Sequence, residues 1–340
     1  MTELKKTLLE GEFVKIEKEY EAVKKNAGLF DLSHIGKIEI KGKDAFSYIQ
    51  NLITNDIGQI NENQGLYTLM CYPYGAVLEA LILYKFSNNH FLLVINSGNI
   101  DKTFKWLINR KRYQDVSIIN ISNSLYQLAL HGPKSYKIIQ KLTNTNINEI
   151  ERFSFKENIN ICGKNCLISR MGYTGEDGFE IYTSTENSET VLKKILKEGK
   201  EEGIRPAGIE TRDVLRYEAN LPLFGDELIE DITPLEAGFH KYIKLDKHDF
   251  VGKNALEKQN KKGITRKVVS FQIKDKKNIL SQGAGVFANN KKVGSVTAWH
   301  FSPDKKENIG LAVVDLKYAD MGTVVFIKSI DELVEAKVIA

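Results

Sequence analysis

The densest chemically unusual segment runs Gly172-Tyr-Thr-Gly-Glu-Asp-Gly178, and Glu180 follows two residues later. Three glycines in seven residues permit positive φ and close backbone approach, and two carboxylates hang beside them. Most such strings are acidic β-turns. Glu180 goes beyond that reading, because it stands at the start of an apolar strand, pinned on a rigid element. The two acceptor oxygens of a carboxylate so placed suit a pair of N–H donors from a planar heterocycle. A second segment, Glu210 to Glu218, reads as a helix with charges three and four residues apart. A pair such as Asp213 with Arg216 contributes only ~0.2–0.5 kcal/mol. Yet two of the chain's eight arginines, Arg212 and Arg216, fall within five residues. A substrate carboxylate explains that clustering, and an inter-domain ion pair explains it equally.

Other chemistries find no support. There is no Gly-x-x-x-x-Gly-Lys-Ser/Thr phosphate loop, no Gly-x-Gly-x-x-Gly after a strand and no His-Glu-x-x-His. Ser33 and His34 are adjacent, but a working Ser–His pair needs spatial reach and a third, orienting group, so His34 reads as a turn histidine. Three cysteines, Cys71, Cys162 and Cys166, cannot all pair and are too few for a disulfide framework. Cys162 and Cys166 could clasp a hairpin turn, but two thiols do not make a tetrahedral zinc set. They read as structural and reduced, and no metal site is expected.

The elements that must position these residues alternate helix and strand without a constant repeat. Helical patterns cover Ile16 to Lys25, Asp44 to Ile53, Asn99 to Arg112, Lys134 to Leu142 and Glu189 to Gly203. Strand patterns cover Lys37 to Lys41, Leu66 to Cys71, Val77 to Phe86, Phe91 to Ile95 and Val116 to Ile121. They continue at Leu125 to Leu130, Ile159 to Ile161, Leu167 to Ser169 and Phe179 to Thr183. Both sets read as α+β units. From Thr265 onward helices nearly vanish, and the strand-like runs 268–273, 285–288, 293–298, 311–314, 324–327 and 335–339 argue for a separate β-barrel or sandwich. The polar stretch Lys258 to Lys267 marks the boundary, giving an expected division into 1–264 and 265–340.

Composition sets the outer limits. Two or three domains are expected of 340 residues, and 42% hydrophobic with 27% charged residues is close to a globular average. The longest apolar candidate, Ala76 to Phe86, is broken by Glu79 and Lys85, so no membrane span is expected. Met1-Thr-Glu-Leu-Lys-Lys lacks an apolar leader core, which points to a cytoplasmic protein. A net charge of +4, carried almost wholly by lysine, gives no sign of nucleic-acid binding.

Beyond these patterns, the chain resembles the aminomethyltransferases, the T-proteins of the glycine cleavage system. The resemblance rests on ordered motifs: Ala27 to Gly36, Thr54-Asn-Asp56, Gly65 to Met70, Gly172 to Glu180, Thr211 to Glu218, Leu223-Phe-Gly225, Thr233-Pro-Leu-Glu236, Asp249-Phe-Val-Gly-Lys253, Phe301-Ser-Pro303 and Asn308-Ile-Gly310. It covers essentially the whole chain. It implies an α+β fold, a three-domain cloverleaf with two mixed α/β units of ferredoxin-like type, interleaved within 1–264, and a C-terminal β-barrel. It also implies tetrahydrofolate in a central channel, with Glu180 on the pterin ring, Arg212 at the folate site, and Tyr67, Asn96 and Tyr173 lining the pocket. The implied reaction releases ammonia from an aminomethyl group carried on a lipoyl protein and leaves the carbon on folate.

One position departs from the family pattern. Where the family reads Gly-Gly-x-x-Asp-Asp-Leu-Ile, with the second Asp its key catalytic carboxylate, this chain reads Gly75-Ala-Val-Leu-Glu79-Ala80-Leu-Ile82. Glu79 becomes the candidate catalytic carboxylate, although a strand would point it to the face opposite residue 80. Two alternatives to aminomethyl transfer follow: a relative that takes a methyl group from an N-, O- or S-methyl compound, and a folate-binding protein without transfer activity. The latter group resembles a Lys-Gly-Cys-Tyr-x-Gly-Gln motif, whereas this chain has Asp249 to Lys253 there and no cysteine. The cysteine reading yields a direct expectation. A C162S/C166S double variant keeps its turnover, and elemental analysis finds no stoichiometric zinc or iron; a large activity loss with folding intact would overturn it.

Overall fold

The computed structural model describes residues 16–219, 221, 231–274, 280–302, 305–329 and 332–339. The motif Leu223-Phe-Gly225 and Pro303 lie outside these residues. The chain divides into two compact units, one of residues 1–48, 57–66 and 82–215, the other of 49–56, 67–81 and 216–340.

In the first unit a six-stranded sheet runs in the order Ile204–Ala207, Ala27–Asp31, Leu125–His131, Gly178–Ser184, Lys164–Ser169, Phe155–Ile161. The pair Ala27–Asp31 with Ile204–Ala207 is parallel, and its other neighbours are antiparallel. Alternation gives the sheet two faces of different character. Leu128, Leu130, Ile168, Phe179 and Ile181 face a dry core with Ile138, Ile139, Val191 and Ile195 from the helices Ser135–Gln140 and Ser188–Gly199. The opposite face carries Gln127, Ser169, Glu180 and Tyr182. The register makes this inevitable, because Glu180 stands opposite Ala129 and Ser169, and Tyr182 opposite Gln127.

A five-stranded sheet runs Gln64–Cys71, Val77–Ser87, His90–Ile95, Gly36–Lys41, Ser117–Asn120. Tyr84, Leu92 and Val94 pack with Phe155, Met171 and Tyr182 in one cluster of the first unit.

The second unit contains a closed six-stranded barrel in the order Arg266–Ile273, Glu307–Asp315, Lys291–Ser302, Gly285–Ala288, Val324–Lys328, Leu333–Val338. Val324–Lys328 and Leu333–Val338 alternate strictly between exposed and buried. Glu307–Asp315 is apolar on both faces: Ala312 and Val314 join the barrel interior, while Ile309, Leu311 and Val313 pack with Tyr217 and Ile232. The α+β class and the C-terminal barrel are as the sequence led us to expect.

Three elements differ from that expectation. The strands Ala27–Asp31 and Ile204–Ala207 follow directly on the two helical patterns ending at Lys25 and Gly203, in stretches where the sequence pattern predicts no strand. Parallel pairing between distant short segments leaves no local signature. The helix Lys253–Lys262 occupies part of the stretch that reads as a solvated boundary. Among its residues only Leu256 is buried, too thin an apolar stripe to be seen by periodicity. In the hairpin joining Phe155–Ile161 to Lys164–Ser169, Cys162 (φ 54°) and Gly163 (φ 75°) form the two-residue turn of positive φ that such hairpins favour. Cys162 is exposed, Cys71 and Cys166 are buried, and all three thiols are free.

Lys247 organises the segment that leads into Tyr67. Its buried ammonium donates to the carbonyls of Gln50, Ile53 and Asn55 at 2.6, 2.5 and 2.8 Å, closing the end of helix Ala45–Leu52. Asn55 in turn donates through Nδ2 to the Tyr67 carbonyl at 2.9 Å. Burial pulls the Lys247 ammonium down to about 8, which keeps it largely charged at neutral pH. Lys247→Met would leave three carbonyls without their donor. The expected loss is about 2–4 kcal/mol, read by calorimetry as a fall of roughly 3–6 °C in unfolding temperature; an unchanged transition would refute the role.

Candidate functional site

Glu180 is 2% exposed, and its surroundings treat its two oxygens differently. Oε2 accepts three hydrogen bonds: from the Tyr182 hydroxyl at 2.7 Å, the Tyr84 hydroxyl at 3.0 Å and Gln127 Nε2 at 3.2 Å. With the Tyr84 proton committed to Glu180, the Ser169 hydroxyl at 3.0 Å donates to Tyr84. No donor among the described residues reaches Oε1. The fork of two free oxygens expected from the sequence is thus corrected: Oε2 is saturated by the protein, and Oε1 alone is not.

Electrostatics around this carboxylate oppose one another. Burial raises the Glu180 pKa above the ordinary range, while the Tyr182 hydroxyl, Arg212, the Tyr84 hydroxyl and Lys37 pull it down. Burial and the Glu180 charge push both Tyr84 and Tyr182 well above their ordinary range, so they stay protonated and act as donors. Lys37 is fully buried and donates to the carbonyls of Leu32 and Ser33 at 3.3 and 3.2 Å. It belongs to an alternating strand and reads as half-solvated in the sequence; the structure makes it an interior cation.

Arg212 is placed by the start of helix Ile209–Glu218. Glu19, from helix Ile16–Lys25, accepts from the Gly208 amide at 3.0 Å and the Thr211 hydroxyl at 2.5 Å, a carboxylate bound at a helix N-terminus. The Arg212 guanidinium then lies 5.1 Å from the ring centre of Tyr173, which comes from the glycine-rich loop. Arg216 has a different task. It is fully buried, donates to the Leu221 carbonyl and the Tyr217 hydroxyl, and lies over the Tyr217 ring. The two clustered arginines therefore divide between a candidate ligand site and the interior.

The structure brings Glu180, Arg212 and Tyr173 into one unit. Asn96 belongs to that unit too, where its side chain accepts from the Gly98 amide at 2.9 Å as the cap of a short 3₁₀ turn. Tyr67, Glu79 and Ala80 belong to the second unit. There Tyr67 stacks on Phe239 (5.7 Å, 17°) and leans on Tyr242 at 4.8 Å. Ala80 packs into the same cluster with Leu69 and Val77. Glu79, the expected catalytic carboxylate, is fully buried on the opposite face of the strand, and its Oε1 accepts from the Ala80 amide at 3.0 Å.

Sequence reading missed Tyr84, Tyr182, Gln127, Ser169 and Lys37 as site residues. A faint signal existed: Glu180 and Tyr182 share a face by alternation, and Gln127 is a polar residue inside an otherwise apolar strand. Among the described residues no three His, Cys, Asp or Glu side chains are placed to hold a metal. No described helix is long and apolar enough to cross a membrane.

Comparison with known proteins gives this geometry a family. The model of the GCVT N-terminal domain matches residues 9–247, and that of the glycine cleavage T-protein C-terminal barrel domain matches residues 266–340. The aminomethyltransferase of Caldanaerobacter subterraneus subsp. tengcongensis is 51% identical over 311 residues, covering 92% of this chain and 83% of its own. That of Alkaliphilus metalliredigens is 49% identical over 323 residues, covering 95% and 87%. The crystal structure of the glycine cleavage system aminomethyltransferase T from Bartonella henselae superposes with a TM-score of 0.87 at 26% identity, covering 96% of this chain and 88% of that one. With both domain models matched and half the residues shared with these relatives, the chain belongs to the glycine cleavage T-protein family of aminomethyltransferases.

Proposed function

We propose that this chain is an enzyme that transfers a one-carbon unit to tetrahydrofolate, taking it from an aminomethyl group carried on a lipoyl protein. The observation that carries the folate assignment is the unequal treatment of the two Glu180 oxygens. A carboxylate locked by three donors on Oε2 cannot rotate away, so Oε1 has a fixed direction in which to accept N–H groups. The pterin ring of tetrahydrofolate offers such groups, and its tail offers carboxylates suited to the planar guanidinium of Arg212. Asn96 and Tyr173, from the same unit as Glu180 and Arg212, complete the proposed pocket. Bound tetrahydrofolate would supply the nitrogen that takes up the one-carbon unit. The protein's part is to hold the ring by Glu180, to keep Tyr84 and Tyr182 as protonated donors behind it, and to attract the tail by Arg212.

Position 80 favours a second reading. A carboxylate near the transferred carbon can orient an amine and stabilise developing positive charge, and its removal typically costs on the order of 10²–10⁴ in rate. Here that position is Ala80, packed with Tyr67, Phe239 and Tyr242, which suits an N-, O- or S-methyl donor needing less help from a carboxylate. Product analysis separates the two: methylene-tetrahydrofolate with ammonia, or 5-methyl-tetrahydrofolate. Because Glu79 faces away from residue 80, Ala80→Asp is expected to raise aminomethyl transfer in the lipoyl-protein assay by on the order of 10-fold or more. Loss of all activity in Glu79→Gln, with no gain in Ala80→Asp, would instead assign the catalytic task to Glu79.

Glu180→Gln tests the binding claim in two ways. Loss of a buried acceptor charge should weaken tetrahydrofolate binding by at least ~30-fold in calorimetric titration, about 2 kcal/mol or more. Unchanged affinity would sink the assignment. Stability should move the opposite way. The folded pKa of Glu180 lies above its unfolded value, so its contribution is complete below about 4.5 and is lost as pH rises through the folded pKa. The uncharged variant is therefore expected to unfold at a higher temperature than the wild type at pH 7–8, and to lose that advantage as pH falls toward 4.5.

A further inference from the structure

His131 closes the strand Leu125–His131, and its backbone is paired with Gly28 on one side and Gly178 on the other. Its ring is 1% exposed and fills the inside of the loop 172–178. A Cβ added to Gly172 would come within 2.7 Å of His131 Cε1 and 2.9 Å of Nε2, and one added to Gly178 within 2.5 Å of Cδ2. Gly172 is thus required by the imidazole alone, whereas at Gly178 the Leu130 carbonyl oxygen (2.5 Å) and His131 Cα (2.7 Å) crowd the position together with the ring. Neither has a positive φ; only Gly175 does.

The ring is also bonded to the loop it fills. Nδ1 lies 2.8 Å from the Thr174 hydroxyl, and that hydroxyl already accepts from the Glu176 amide at 3.3 Å. The threonine oxygen, with two lone pairs and one proton, can take the Glu176 amide and still pair with Nδ1 in either sense, while the buried Nε2 has no hydrogen-bond partner among the described residues. Burial and then the charge of Arg212 lower the His131 pKa to about 3, against the opposing pull of Asp177 and the Met171 carbonyl. The ring is neutral across the working range and does not act as a proton switch. The far end of the loop is fixed separately, by Arg170 donating to both Asp177 oxygens at 3.1 and 2.5 Å and by the Gly132 amide donating to the Asp177 carbonyl at 2.9 Å. Tyr173, between these two fixings, is the residue whose ring meets the Arg212 guanidinium.

We infer that His131 is a positioning residue: its imidazole is the post around which the loop 172–178 is wound, and through Tyr173 it sets the place of Arg212. The consequence for tetrahydrofolate rests on the function proposed above; the consequence for the loop does not. Two variants separate positioning from general stability. In ligand-free His131→Ala, amide exchange across 172–178 is expected to accelerate by roughly 10-fold or more, while 125–130 stays protected. The Kd for tetrahydrofolate is expected to rise roughly 10-fold, and that rise should disappear when Arg212→Ala is already present. His131→Gln, whose amide can either donate or accept, keeps a polar partner for the Thr174 hydroxyl and should recover most of both effects. Unchanged loop exchange in His131→Ala, or equal acceleration in 125–130, would overturn the inference. An undiminished effect on Kd in the Arg212→Ala background would overturn its second half. If the wild type binds no tetrahydrofolate at all, the folate reading fails, and loop exchange alone decides the role of His131.

Discussion

An ionisable carboxylate taken out of water is the constraint from which much of the first unit follows. Leaving Glu180 charged and unsolvated would be costly, so the protein surrounds it with the donors Tyr84, Tyr182 and Gln127 and with the fields of Arg212 and Lys37. Each helper has its own requirements. Tyr84 leans on Ser169, and Lys37 needs the carbonyls of Leu32 and Ser33. One buried charge thus accounts for a layer of polar contacts in what is otherwise apolar packing. Networks of this kind are strong only when complete, and this one is completed on Oε2 and left incomplete on Oε1.

Strand register does the placing. Glu180, Tyr182, Gln127 and Ser169 come from three strands, and their common face follows from which residues stand opposite one another. Helix ends then place the cation, with Glu19 bound at the N-terminus of the helix that carries Arg212. The glycine-rich loop is less a flexible hinge than a tightly wound collar, fixed at one end by an imidazole and at the other by an Arg–Asp fork.

How much of this was legible depended on whether the cause was local. The alternation in Val324–Lys328 and the helical period of Ile16–Lys25 are local facts, and their elements were readable. Glu180 and Arg212 stood out because their neighbours in sequence were unusual. Tyr84, Ser169 and Gln127 did not, because what distinguishes them is a partner some fifty to a hundred residues away. Lys37 was misjudged for a different reason: a lysine in an alternating strand is usually solvated, and its partners, though only four and five residues away, are backbone carbonyls that no residue type announces. The division of the Glu180 oxygens, one held and one open, is a property of three-dimensional proximity that no spacing rule contains.

The strand Glu307–Asp315 carries a further consequence. In a sheet with one wet face, slipping by a single residue exposes the whole apolar set, and polarity guards the register. This strand has no wet face along Ile309 to Val313, so a slip would trade one apolar set for another at little cost in hydration. Size is what distinguishes the two sets. The face turned to the barrel interior is made of Gly310, Ala312 and Val314, with Gly310 lying directly against the Phe271 ring; the outer face is made of Ile309, Leu311 and Val313. A slipped strand would drive isoleucine and leucine into space shaped for glycine and alanine. Its alignment is thus proofread by volume, and exchanges among apolar residues that would be harmless on a one-sided strand are, here, errors of spelling.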